Sequence, residues 1–388
     1  MTHTIVILGA GLAAAPVIRQ LMRNTILPSN EFRMIVVTPS THFLWPIAMP
    51  RVVVPGQMDF DKVFYPLAPT FAEYPAEKFE LVLGAADSLD PIGQTVNIAL
   101  NSGEGRLISY NTLIIATGTT AKDHMPWKLL GTFEQTKHSL QRLQSDIAKA
   151  DTVVVAGGGL TGTETAGELG FEYAKTHKKK VYFIYNSDLP LMPPIQQNVR
   201  KQAKTELEKM NVVLIPNTTV SQVTTSENGI VLELYDINGT TRSLTTQAYV
   251  STTGQTPNTR FVPADMLDSH NFIKQTITLQ AEGFPNIFVL GDVGNLEGCK
   301  AQYAESQALH LIKALPAYLS GKGMPEYQLN TKIFYGITLG RSRATGQMGN
   351  MKLFSSFIWY LKGRTFLTES GGLIAAGKKT LTTTFESK

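Results

Sequence analysis

Two strand-then-glycine loops constrain this chain more than anything else in it. The first reads TIVILGAGLAAA over residues 4–15, and the second reads VVVAGGGLTGTETAGELG over residues 153–170. In the first, a β-branched run ends in Gly9-Ala10-Gly11-Leu12-Ala13-Ala14, and a helical pattern continues through Arg23. That is a G-x-G-x-x-G/A loop in strand–turn–helix context, where bare backbone N–H groups and the helix dipole favour a pyrophosphate. A second strand at 32–37 completes a βαβ unit.

The residues downstream of each loop indicate which ligand it suits. The acid that usually ends the second strand is replaced by Thr38. A threonine there is either a weaker ribose contact or a plain strand end before the Pro39-Ser40 turn. Far downstream, a strand at 286–289 runs into GDV at 291–293, with a helix from about Gln302. Asp292, at a strand end beside a helix start, suits a polyol such as a ribityl chain. Midway lie Ala116-Thr117-Gly118 and a matching TTG at 252–254. Together these segments describe an FAD domain interrupted by an insertion. The expected division is 1–123 with 254–325 for FAD, 124–253 for NAD(P)H, and 326–388 as a substrate or interface region.

The second loop lies inside that insertion. Thr152–Val155, then Gly157, Gly159 and Gly162, a helix through about Lys175 and a strand at 181–184 form another βαβ unit. An inner nucleotide domain would bring a nicotinamide against the flavin for hydride transfer. Glu164 is expected in the first turn of the helix, where a carboxylate either complements the dipole or faces the gap between the two rings. The strand ends at Tyr185-Asn186. An acid there would indicate NADH and an arginine NADPH. Neither is present.

Composition excludes other classes. A single cysteine, Cys299, cannot form a redox pair or a thiolate metal cluster, and fits a reducing, cytoplasmic setting. A net charge of +4, without a long basic stripe, argues against nucleic acid. The apolar stretch at 5–18 lacks a basic segment before it, so it does not read as a signal peptide. Thr2 excludes N-myristoylation, which needs glycine there.

In these motifs the chain resembles the apoptosis-inducing-factor-like branch of two-dinucleotide flavoproteins, which includes the ferroptosis suppressor proteins and related fungal enzymes. The resemblance runs nearly end to end, through GAGLAAA, HFLWPIAMPR at 42–51, LVLG at 81–84, ATG at 116–118, GGGLTGTE at 157–164, TTGQTPN at 252–258, GDVG at 291–294 and KGRTFL at 362–367. It implies a glutathione-reductase-like α/β fold with two Rossmann-like domains, and NAD(P)H-dependent quinone reduction through FAD. By position, Arg51 and Val82 would contact FAD and Asp292 the ribityl chain. Trp45 and Pro46 would pass the isoalloxazine, with Glu164 and Lys362 near the flavin and its acceptor. The family's acid after the first βαβ unit is Thr38 here, and the animal members' myristoylation glycine is absent.

Three alternatives stand beside a quinone reductase. They are a tailoring flavoenzyme of secondary metabolism acting on one small molecule, a ferredoxin-type reductase, and a flavin-binding signalling or DNA-binding protein. The aromatic-rich stretch 349–362 suits either peripheral membrane contact or a core or homodimer helix, and the latter is the preferred expectation.

Overall fold

A computed structural model describes residues 2–386. Its larger sheet has eight strands in the order Gln280–Ala281, Phe284–Val289, Thr112–Ile115, His3–Leu8, Phe32–Thr38, Phe79–Asp90, Thr95–Leu100, Gly105–Ser109. The five from Phe284–Val289 to Phe79–Asp90 are parallel, and an antiparallel meander closes one edge. Strand side chains alternate between faces, so Ile5 and Ile7 enter one core while Val6 and Leu8 enter another. The first core is covered by the helices Ala14–Leu21 and Ala301–Leu319, which bury Val17, Ile18, Ala308 and Leu311.

The second sheet is parallel throughout, in the order Val213–Ile215, Lys180–Ile184, Thr152–Ala156, Ala248–Ser251. An antiparallel sheet of Thr218–Ser226, Gly229–Asp236 and Thr241–Thr246 packs Leu232 and Leu234 against its Val154 and Ile184. The chain passes between the two parallel sheets twice, and the two passages pair as Thr119–Ala121 with Gln255–Pro257. Beside this ribbon, Asn258 Nδ2 donates to the Thr117 carbonyl at 2.9 Å, and Thr117 Oγ1 donates to the Asn258 carbonyl at 2.9 Å. The fold is the expected α/β architecture, with both glycine loops at the carboxyl ends of parallel strands.

Two expectations need correction. The helix after the second loop spans Leu160–Leu169, so Glu164 is its fifth residue and stands beyond the first turn. The dipole account of Glu164 therefore fails, since that effect fades within one turn. The 349–362 stretch is no core helix either. It is a hairpin end, Met351–Lys352, followed by the short helical run Ser355–Ile358 and Trp359–Gly363, and most of its large apolar side chains are exposed.

The C-terminal region begins as a sheet of Phe334–Leu339, Arg343–Met348 and Met351–Lys352. Its first strand lies against the helix Leu160–Leu169 so closely that a Cβ on Gly167 would stand 2.8 Å from the Gly340 amide nitrogen. The chain then returns to the first sheet's helices. Glu386 takes both Arg19 Nε and Nη2 at 2.7 Å, and Thr382 donates its amide to buried Glu305 at 2.7 Å.

Those guanidinium contacts hold the Glu386 carboxyl down at about 2, against 4.5 ordinarily. A depressed carboxyl contributes stability above its unfolded value and loses it as pH falls through the folded one. Glu386→Gln should lower stability near pH 7 by on the order of 1 kcal/mol, once solvent screening is allowed for. Urea melts should show the gap to the parent chain closing from about pH 4.5 down to about pH 2.

Candidate functional site

The glycines of the two loops divide by what surrounds them. Gly9 has φ +108°, and a Cβ there would lie 2.3 Å from the Ala116 carbonyl oxygen. Gly162 would meet the Gly157 oxygen at 1.9 Å. These two glycines let backbones touch. Gly11 and Gly159 are different, because a Cβ on either meets nothing within 4 Å. Both front open space at the head of a helix that has no side-chain cap, so unpaired N–H donors face that space. An open cradle with free donors fits a pyrophosphate at each loop. Gly118, at φ +64°, borders similar open space after the strand Thr112–Ile115.

Ala10, Ala13 and Ala14 are buried and Leu12 is half-buried, so the first loop packs its side chains inward and leaves its backbone outward. Thr38 is buried, and its Oγ1 accepts the Ser40 amide at 3.3 Å, the strand-end alternative. Val82 is a core residue with Val6, Leu8 and Val37, leaving its backbone as the part able to meet a ligand. Tyr185 is also interior. Its ring packs against Phe183 at 5.1 Å, its Cβ lies beneath Gly158, and its buried hydroxyl lacks a partner. Burial pushes that phenol up to about 12.

Asp292 stands half-buried after the strand Phe284–Val289, and the Lys128 ammonium donates to its Oδ2 at 2.6 Å. The same ammonium reaches Gln255 Oε1 at 3.1 Å and also bonds Thr119 Oγ1. Lys128 thus ties the Asp292 turn to the paired passages between the sheets.

The densest polar construction lies where the helix Leu160–Leu169 meets the C-terminal region. Glu164 and Glu168, four residues apart, share one face of that helix and are both buried. Glu164 Oε1 accepts from Lys362 Nζ at 2.6 Å, the Thr338 amide at 2.9 Å and Thr338 Oγ1 at 3.2 Å. Lys362 also donates to the Gly336 carbonyl at 3.1 Å. Glu168 takes a bidentate pair from Arg51, at 3.0 Å from Nε and 2.9 Å from Nη2. Burial raises the Glu168 carboxyl above its usual range, and the Arg51 guanidinium works against that rise. Arg51 then spends its remaining donors on the carbonyls of Gly363 at 2.8 Å and Arg364 at 2.9 Å.

Above that guanidinium, 4.6 Å away, lies the Phe366 ring. Phe366 and Leu367 hold φ values of 53° and 60°, uncommon for bulky residues. The Phe366 carbonyl accepts Trp45 Nε1 at 2.9 Å, and Trp45 is wholly buried beside the Pro46–Ala48 turn. Strain of this kind persists where surrounding contacts over-determine the backbone. Next to it opens a cleft of about 470 Å³ lined by Arg51, Met58, Arg341, Trp359, Arg364 and Thr365, among others.

The structure therefore brings together Arg51, Trp45, Pro46, Glu164 and Lys362, all read from sequence. It adds Glu168, Thr338, Phe366 and Lys128, which were not. Glu168 carried a signal, since it repeats Glu164 one helical turn on. Lys128 and Thr338 carried none, because the carboxylates they meet, Asp292 and Glu164, lie more than 150 residues away.

Two cradles at the ends of parallel strands, with a charge cluster where the helix Leu160–Leu169 meets the C-terminal region, accord with a flavin-dependent NAD(P)H oxidoreductase. The chain belongs to the pyridine nucleotide-disulphide oxidoreductase family, whose profile matches residues 3–308. Among relatives, Oxidoreductase ptaL of Pestalotiopsis fici is 35% identical, over 91% of this chain and 93% of that one. The type II NADH:quinone oxidoreductase Ndh of Mycobacterium tuberculosis is 24% identical over 92% of this chain and 82% of its own. The fold matches the solved sulfide:quinone oxidoreductase of Aquifex aeolicus with a TM-score of 0.76 at 17% identity, over 97% of this chain and 92% of that one.

The glycines separate folding from binding. Gly11→Ala should fold with an unchanged melting temperature yet purify with little flavin absorbance, because its Cβ enters only the cradle. Gly9→Ala should fail to fold, since both its φ and the Ala116 oxygen forbid the side chain. Arg51→Met, which strands buried Glu168, should cost about 3–5 kcal/mol in denaturant melts. Adding Glu168→Gln should recover part of that loss, and full additivity of the two changes would refute the pairing.

Proposed function

We propose that this oxidoreductase takes a hydride from NAD(P)H onto FAD and delivers it to one specific small organic molecule, as a tailoring enzyme of secondary metabolism does. In this reading residues 1–123 and 254–325 hold FAD, 124–253 admit NAD(P)H, and 326–388 shape the acceptor site. A place on the apoptosis-inducing-factor-like side of the family accords with the order of motifs along the chain. The observation that carries the reading is the pair of Lys362 with buried Glu164, beside a cleft walled jointly by C-terminal residues and by the segment 51–62. One wall of that cleft, with Arg341, Trp359, Arg364 and Thr365, lies outside the 3–308 span that the family profile matches, and such a wall is where a chain would acquire its own substrate.

Gly11, the first-helix amides and Asp292 would hold FAD, while Gly159 and the second-helix amides would hold the nicotinamide coenzyme. When bound, the flavin supplies hydride acceptance and delivery, which no side chain here can perform. The chain's own contribution is electrostatic and protonic. Lys362 holds a proton at Nζ, anchored by Glu164, and can offer it to an acceptor oxygen as charge develops there. Arg51 keeps Gly363 and Arg364 in register, so that Lys362 stays in reach. Trp45 and Phe366 exclude water from the same place. A quinone is the second reading, favoured by the similarity to a type II NADH:quinone oxidoreductase.

Anaerobic stopped-flow mixing tests both. NADH or NADPH should bleach the flavin, and an acceptor panel containing short quinones and candidate aromatic metabolites should reoxidise it. Lys362→Met and Glu164→Gln should slow acceptor reduction by about 10²-fold, the usual scale for a lost proton donor. Protein without flavin absorbance, or flavin that neither coenzyme bleaches, would sink the proposal. Broad turnover of every quinone in the panel would favour the second reading.

A further inference from the structure

The helical run 355–363 is amphipathic the wrong way round for a surface helix. Its cation, Lys362, points inward to buried Glu164, and Ile358 is packed in the interior. Its outer face carries Phe357, Tyr360 and Leu361, with Phe354 at the position just before it, spaced by three and four residues along one side. Phe354 is 83% exposed and Tyr360 61%. The adjoining hairpin adds Met348 and Met351, which pair across the strands, and Met351 is 55% exposed. Scattered exposed apolar residues are ordinary, but a contiguous set marks an interaction surface.

Charge says what the surface meets. Between Glu326 and Glu369 the chain contains no Asp or Glu, while it carries Lys332, Arg341, Arg343, Lys352, Lys362 and Arg364. Lys362 is used internally. Arg343 has a distant partner in Glu206 at 3.8 Å, and Arg364 has Glu369 at 3.3 Å while also lying 4.9 Å above the Tyr360 ring. Lys352 is exposed at the hairpin end. Aromatic and methionine side chains ringed by cations suit the interface of an anionic bilayer, with rings at headgroup depth and cations on lipid phosphates. A second copy suits it less, because a twofold contact sets the same patch against itself and would oppose these cations. Among the described residues no helix is long and apolar enough to cross a membrane, so contact would be by lying on the surface.

We propose that the face formed by Met348, Met351, Phe354, Phe357, Tyr360 and Leu361, with Lys352 and Arg343 at its rim, docks on an anionic phospholipid surface. The docking stands whichever acceptor the site reduces. It sets the cleft beside Trp359 and Arg364 near the headgroups, giving amphiphilic acceptors a route from the lipid.

The test is flotation of the flavin-loaded full chain with vesicles of phosphatidylcholine containing roughly 30% phosphatidylserine, a strongly anionic surface. The parent chain should float with these vesicles, much less with phosphatidylcholine alone, and release as salt rises well above about 0.1 M. The combined Met351→Ser, Phe354→Ser and Phe357→Ser variant should partition about tenfold less, with flavin absorbance and melting temperature unchanged. Lys352→Glu should weaken binding only to the anionic vesicles. Equal flotation by parent and triple variant, equal flotation on neutral vesicles, or no flotation at all would overturn the proposal. So would a sedimentation-velocity dimer that the triple variant converts to monomer, because the face would then belong to a second copy.

Discussion

Two carboxylates one helical turn apart organise this molecule. Glu164 and Glu168 leave the same face of the helix behind the second glycine loop, where a charge buried without a partner would be costly. Each is met by a cation from a different part of the chain: Lys362 from the C-terminal region and Arg51 from the first-sheet unit. The helix Leu160–Leu169, the segment after Trp45 and the C-terminal run 362–366 are thereby fixed to one another through charge-assisted hydrogen bonds. Unpaired buried charge is so costly that these segments have little freedom to separate.

That arrangement explains how chemistry and architecture coincide. Arg51 spends its guanidinium on one carboxylate and two backbone carbonyls, so it works as a bracket. The bracket holds Gly363 and Arg364 at the wall of the cleft, and with them the neighbouring Lys362 against Glu164. It also supports Phe366 and Leu367 in a backbone region that bulky residues avoid. The C-terminal tail adds a separate tie, with Glu386 gripping the helix after the first loop and Thr382 gripping buried Glu305. The chain's last segments are thus stitched to the two helices that cover the first core.

Much of this is legible in the residues alone. Short β-branched runs ending in glycines locate both βαβ units, because a backbone that must approach a phosphate or another strand tolerates no side chain. Yet the glycines look alike in sequence and differ in space: Gly9 and Gly162 serve close packing, whereas Gly11 and Gly159 leave room. Tyr185 stands where a coenzyme-selecting residue is expected, and the fold turns its ring into the core instead. The stretch 349–362 is ambiguous for a comparable reason. An aromatic stripe at helical spacing is the same string whether it faces an interior or solvent, and only the inward commitment of Lys362 decides which side it presents.

The residues in order already contain the class of fold, the two glycine loops and the candidates Glu164 and Asp292, because spacing along a strand or helix implies geometry; Arg51 and Lys362 come from the family resemblance. Which charges meet is a property of the folded chain. The pairing of Glu168 with Arg51, of Lys128 with Asp292 and of Thr338 with Glu164 spans more than a hundred residues in each case. No local periodicity encodes such partners, because they are selected by the packing of whole sheets and by the cost of leaving a buried charge alone.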